Sequence, residues 1–340
     1  MTSGASGRHR ALTGAVAVGA GLLTLSAAAC GASGGAPGLA SAAGVVQPAS
    51  SSAGPAPAGS APAVAGSSAA SAPAGSSGVG ASANAPSAGV TQRTDAKRAD
   101  PFFAVDGYLA GRSGTVLAAV YDIRTGQSWR LGDGPAQDEA SVVKLDILET
   151  LLNASDGTGL SLDSQGLAGQ MIEDSDNDAA TSLWYAAGGT AGLAAYNDKA
   201  GLTRTTPSAC VVCDDFPWPG WGLTTTVPYD QITLLKQLIE PGPLLTAAER
   251  QYALSLLENV TPDQAWGVSG GVPAGVTVAL KNGWLPLNDD NTDWQINSEG
   301  WVRGDGRDYL ISVLTTGNPS EQYGIDTINE LSTLVWGALR

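Results

Sequence analysis

The rhythm of apolar and polar positions changes several times along this chain. Asp100 to Gly111 reads as a short helix. A β-rich run from Thr115 to Tyr121, a turn at Arg124-Thr125-Gly126 and a second run through Trp129 then predict a hairpin. The segment Ser141 to Leu152 (SVVKLDILETLL) has few polar positions and predicts a buried helix opened by a serine able to cap it. Helical patterns continue to Gly201, residues 202–223 read as an ordered loop rich in Pro, Gly and Trp, and helices are expected over about 228–240 and 246–258. Strand character returns at Val276 to Leu280, Trp294 to Trp301 and Tyr309 to Leu314, and an amphipathic helix from about Ser320 to Leu339 closes the chain. Strands at both ends with helices between them predict an α+β architecture: an antiparallel sheet carrying terminal helices, beside an all-helical subdomain.

Before this region the pattern is of another kind. A short basic start (Arg8, Arg10), an apolar run from Ala11 to Ala29 and Cys30 straight after three alanines predict an export signal over residues 1–30. A cysteine closing such a run resembles a bacterial lipobox, which makes Cys30 the expected lipidation site, although Ala27 stands where a larger aliphatic residue is usual. Ordinary cleaved secretion and an uncleaved membrane helix are the alternatives. Each puts the remainder outside the cytoplasm, lipid-anchored on the outer face of the cytoplasmic membrane or secreted. Residues 31–92 are almost wholly Ala, Gly, Ser and Pro without a charged side chain, so they cannot bury enough apolar surface to offset the entropy of ordering. They read as a disordered linker, leaving residues 93–340 as one catalytic-sized domain.

Charge narrows the partners. All 32 acidic residues lie at or after Asp95, together with 14 basic ones, which leaves −18 on that part of the chain. Such a surface repels phosphate backbones and anionic headgroups, so nucleic acid is excluded as a partner and membrane contact is expected only through the N-terminal anchor. The domain is expected to be a monomer acting on a small molecule or peptide, and an anionic substrate would need local cations.

The only histidine, His9, lies inside the signal. That removes a Ser-His-Asp triad, a Cys-His dyad and a His-ligated zinc site, and no metal or cofactor is expected. Any nucleophile must find its base among Lys, Asp, Glu or Tyr. Ser141 and Lys144 are three apart, on one face of the predicted helix, and a lysine desolvated there loses basicity enough to take the serine proton. Alone, the pair reads equally as a helix cap beside a snorkelling lysine. Ser175-Asp176-Asn177 alone reads as a helix N-cap, and Lys281-Asn282-Gly283-Trp284 as a solvated lysine before an Asn-Gly turn.

In order, these elements are S-x-x-K, S-D-N and K-x-G, and the chain resembles the class A β-lactamases and penicillin-binding proteins. Gly222-Leu-Thr-Thr-Thr before a helix is similar to the segment closing that family's Ω loop, and Tyr309 to Gly317 to its final strand. The resemblance implies that Ser141 attacks a lactam or peptide carbonyl to give an acyl-enzyme with Lys144 as base or relay. It implies further that Ser175 carries the proton to the leaving nitrogen and that Asn177 binds the substrate amide and holds Lys144. Lys281 would supply positive potential for the substrate carboxylate, with Asn282 and Gly283 beside it, and the N–H groups of Ser141 and Trp284 would form the oxyanion hole.

Three departures from the family pattern stand out. The glutamate that clears the acyl-enzyme in class A has no counterpart: the expected position falls near Cys210, no Glu lies between Glu173 and Glu240, and Asp214 or Asp215 are the substitutes at hand. The short interval from Ser141 to Ser175 implies a trimmed helical subdomain and a more open cleft. Asn282 replaces the usual hydroxyl residue and Trp284 a small one. Cys210 and Cys213, in the loop of an exported chain, predict a local disulfide, and among Pro and Trp the pair is not placed like a redox motif. Trp218, Trp221 and Trp284 are expected mainly to pack. The expected activity is that of a serine β-lactamase-like hydrolase. The alternatives are a D-Ala-D-Ala peptidase-like, penicillin-binding protein with slow deacylation and a non-catalytic peptidoglycan-binding envelope lipoprotein; a costly buried lysine beside the serine argues against the last.

Overall fold

The computed structural model describes residues 101–213 and 218–339. The export signal, Cys30 and the linker lie outside the described residues, as do Asp214 and Asp215. The sheet has the order β2-β1-β7-β6-β5 and is antiparallel throughout: β1 (Thr115–Asp122), β2 (Gln127–Leu131), β5 (Thr277–Pro286), β6 (Trp294–Gly304) and β7 (Arg307–Asn318). Pairing of β1 with β7, Thr115 against Thr316 through Asp122 against Tyr309, joins the two ends of the chain in one sheet, as the strand pattern predicts.

Period-2 alternation gives each face of this sheet its own core. Val116, Ala118 and Val120 on β1, with Ile311 and Val313 on β7, pack against Phe102 and Val105 of α1 (Phe103–Leu109) and its N-terminal flank, and against Ile328, Leu331 and Val335 of α8 (Glu321–Ala338). Ala119, Leu310 and Ala279 face the other way, into the helical half. That half comprises α2 (Val143–Ala154), α3 (Leu162–Glu173), α4 (Asn177–Ala186), α5 (Gly189–Ala200), α6 (Pro228–Ile239) and α7 (Ala247–Glu258). A two-stranded ribbon of β3 (Gln137–Asp138) and β4 (Thr225–Thr226) ties its loops together. Helix α2 runs through its centre, buried at every position from Val143 to Leu152, including Lys144, Asp146 and Glu149. A helix enclosed on all sides is normally apolar throughout, which makes those three side chains conspicuous.

Two local expectations are corrected. Ser141 does not cap α2: it sits in a 3-10 turn, Ala140–Val142, and α2 begins after it with no side-chain cap. Nor does the third strand end at Leu280, because Asn282-Gly283 is not a turn; β5 continues to Pro286, and Lys281 lies mid-strand opposite Glu299. The buried Asn282 amide donates to the Gln264 and Trp266 carbonyls.

Candidate active site

The turn carrying Ser141 is held from several sides. Asn297 of β6 donates to the Asp138 and Glu139 carbonyls at 2.8 and 2.9 Å, and Gln231 of α6 donates to Glu139 Oε1 at 3.2 Å. Strand β5 closes against the turn because position 283 is glycine: a Cβ there would stand 2.6 Å from Ser141 N. Ala140 takes φ +50°, a left-handed conformation that costs a non-glycine residue on the order of 1–3 kcal/mol and persists where its surroundings over-determine it. Ser141 emerges half-buried at a cleft of ≈ 690 Å³, its hydroxyl without a hydrogen-bond partner among the described residues.

Behind it the three motifs converge. Lys144 is wholly buried, and its Nζ donates to Ser175 O at 2.6 Å, to Asn177 Oδ1 at 2.8 Å and towards Ser175 Oγ at 3.1 Å. Lys281, 1% exposed, donates to the same Ser175 Oγ at 2.9 Å and to the Asn282 carbonyl. Ser175 itself stands at φ +58°, a second strained position. Asp176, not Ser175, caps α4, its carboxylate accepting from Ala179 N. Freed from capping, the Ser175 hydroxyl bridges two lysines.

Burial, then the neighbouring Lys281 charge, lowers the Lys144 ammonium to about 6, with Asp176 opposing. Burial likewise lowers Lys281 to about 7, with Glu299 opposing. Both shifts run in the direction that favours the neutral amine.

The opposite wall is aromatic. Trp221 is buried, with the Lys144 Nζ 5.2 Å from its ring centroid and its Nε1 donating to Thr181 Oγ1. Trp218 of the same loop, Trp284 of β5 and Trp294 of β6 also line the cleft, so Trp218 and Trp284 contribute surface as well as packing. Cys210 and Cys213 are joined in a disulfide that abuts Gly220, where a Cβ would meet Cys213 Sγ at 2.6 Å. Gly220 immediately precedes Trp221, so the disulfide backs this wall. Among the described residues no carboxylate forms an ion pair with Lys144. Asn282 faces away from the cleft, its amide spent on β5's neighbours, and in place of the expected substrate contact it has a structural one. Motif reasoning missed Trp294, Asp138 at the cleft edge, and a set of buried carboxyls beneath the site: Glu139, Asp146, Glu149 and Glu299. The acidic residues inside the apolar run SVVKLDILETLL were the available signal for two of them.

This architecture, an antiparallel sheet flanked by terminal helices beside a helical half, is the β-lactamase/transpeptidase-like fold. The model of the Beta-lactamase enzyme family matches residues 156–339, more than half of the chain, and the chain belongs to that family. The match begins after Ser141 and Lys144. Among curated proteins, "Putative lipoprotein LppW" of Mycobacterium tuberculosis and of Mycobacterium bovis is 28% identical over 214 residues, 60% of this chain and 64% of the relative's length. The chain thus spans less than two thirds of that relative. Similar solved structures include a class A beta-lactamase from Bacteroides cellulosilyticus (TM-score 0.60, 16% identity, 70% of this chain and 96% of that one). A beta-lactamase from Chitinophaga pinensis (0.60, 19%, 70% and 99%) and PBP-A (0.58, 20%, 70% and 96%) are similar to the same extent. At these identities the likeness is one of fold.

Proposed function

We propose that this chain is an exported serine acyl-transfer enzyme that opens β-lactam amides, or the related amide of a cell-wall peptide, through an acyl-enzyme on Ser141. The observation that carries the reading is the Ser175 hydroxyl held 3.1 Å from Lys144 Nζ and 2.9 Å from Lys281 Nζ, with Ser141 lining the cleft one helical turn before Lys144. In the proposed reaction Ser141 Oγ attacks the carbonyl carbon and its proton passes to the neutral Lys144 amine. The oxyanion is received by the N–H groups of Ser141 and Trp284, each such donor being worth roughly 3 kcal/mol in the transition state. Lys144 returns the proton through Ser175 to the leaving nitrogen, the C–N bond breaks, and Ser141 is left as an ester. Lys281 offers a cation to the substrate carboxylate, and Asn177 positions the amide.

The aromatic wall favours slow release. Hydrolysis of the ester needs a water activated by a base, and the side chain facing Lys144 from the loop segment is the Trp221 indole. The reading we favour is a long-lived acyl-enzyme, as in a penicillin-binding protein, with Asp138 and Asp289 the carboxyls that line the cleft among the described residues. Among the described residues no helix is long and apolar enough to cross a membrane. Lipidation of Cys30 is the anchor we propose, in keeping with the lipoprotein name of the curated relatives. The test is labelling with a fluorescent penicillin: wild-type protein is expected to take up one label per chain and Ser141→Ala none. Equal labelling of both would overturn the reading.

A further inference from the structure

Two ammonium groups cannot both sit comfortably against one hydroxyl in a buried site, because like charges repel strongly where water is excluded. One of Lys144 and Lys281 must therefore be neutral when Ser175 bridges them, and reaction requires that it be Lys144. Two carboxylates bear on the choice. Asp176 favours charge on Lys144, but it is exposed, screened by solvent, and already accepting from Ala179 N. Glu299 is fully buried, in direct antiparallel register with Lys281 on one side and Ser312 on the other. Neither of its oxygens has a hydrogen-bond partner among the described residues, and Ser312 Oγ has none either. A buried carboxylate in that condition is retained at a cost, and the cation it faces is Lys281.

We infer that Glu299 is a positioning residue for the reaction: as the buried carboxyl in cross-strand register with Lys281 it favours charge on that lysine for the acyl donor's carboxylate and leaves Lys144 as the neutral base. Among the described residues the two groups form neither a hydrogen bond nor an ion pair, so Glu299 acts on Lys281 through space across the strand register. The other titratable groups acting on Glu299 and its neighbours are carboxyls. Asp146 and Glu149 come from α2 and Glu139 from the turn before Ser141, with Asp230 of α6 acting on Glu139. Burial pushes Glu139, Asp146, Glu149 and Glu299 all upward, and Glu299 is the one for which a cation, Lys281, opposes that push. The causes agree in direction: the Lys281 charge disfavours an ammonium on Lys144, while Glu299 favours one on Lys281.

This inference rests on the reading of Ser141 as nucleophile, so its test has a readout that needs no substrate. Lysine side-chain titration by NMR on the free full chain, assigned with Lys281→Met, is compared between wild type, Glu299→Gln and Glu299→Asp. Removing the anion disfavours the ammonium, so the Lys281 midpoint is expected to fall by about one pH unit or more in Glu299→Gln and to recover in Glu299→Asp. The alkaline limb of acylation by fluorescent penicillin should fall with it. Should Glu299→Gln not fold, the Glu299 carboxyl is followed in Lys281→Met, where loss of the cation should raise its midpoint. An unmoved Lys281 midpoint in a folded Glu299→Gln protein, or an unmoved Glu299 midpoint in Lys281→Met, overturns the inference. A moved midpoint in a wild-type protein that accepts no acyl group overturns the nucleophile reading instead, and with it the positioning role.

Discussion

The two walls of the cleft are furnished unequally. On one side, Lys144 from the start of α2 and Lys281 from mid-β5 converge within 3.1 Å of the Ser175 hydroxyl in the loop before α4, with strained backbones at Ala140 and Ser175 and both lysines stripped of solvent. On the other, the segment from Gly220 presents Trp221 over Lys144, with a disulfide behind it. Proton transfer demands that density of polar groups, and burying them is costly, so a chain that keeps them has use for them. An indole can shape a cleft and exclude water but cannot take a proton from it. On the proposed reading, the contrast assigns attack and release to different segments of the chain.

The sharpest way to break that contrast is on the polar wall. Lys144→Met, which keeps much of the volume and removes the base, is expected to slow acylation by about 10²–10⁴-fold with the thermal midpoint retained or raised. Unchanged labelling kinetics would remove Lys144 from the chemistry.

The buried carboxyls come next. Burial raises Asp146 from 3.8 to about 7, against hydrogen bonds from Asn197 and Thr150 that favour the ionised form. The folded state then binds a proton that the unfolded state has released, so stability should fall as pH rises from 4 to 7, by up to roughly 4 kcal/mol from this group. Denaturant titrations of Asp146→Asn should give a flatter slope over that window than wild type.

On the aromatic wall, Trp221→Ala should cost about 3 kcal/mol of stability and shorten the adduct lifetime by admitting water beside Lys144. A lifetime that lengthens would contradict the covering role. The smallest effect is in the pH profile of acylation. The rate should rise through about 6 as Lys144 becomes an amine and decline above about 7 as Lys281 loses its charge, both limbs belonging to the coupled pair.

Much of this was legible in the sequence. Strand and helix order follow from periodicity, and the pairing of β1 with β7 from the need of end strands for partners. Three short motifs in a fixed order singled out Ser141, Lys144, Ser175, Asn177 and Lys281, and the last four lie in hydrogen-bond contact through Lys144 and Ser175. Asn282 was misread since its neighbour Gly283 mimics a turn, whereas that glycine serves the close approach of β5 to Ser141. Glu299 escaped because nothing in its local sequence marks which residue lies across the strand. The same holds for Trp221: which side chain covers Lys144 depends on how a Pro- and Trp-rich loop folds back over α2, a long-range matter that local pattern does not encode.

The most direct test is an intact-mass time course after mixing the protein with an equimolar amount of benzylpenicillin, with peptide mapping of the adduct. The expected result is a penicilloyl group on Ser141 that forms readily and persists, with little hydrolysed penicillin. Hydrolysed penicillin accumulating in excess over protein with no lasting adduct, or an adduct on any residue other than Ser141, would contradict the account.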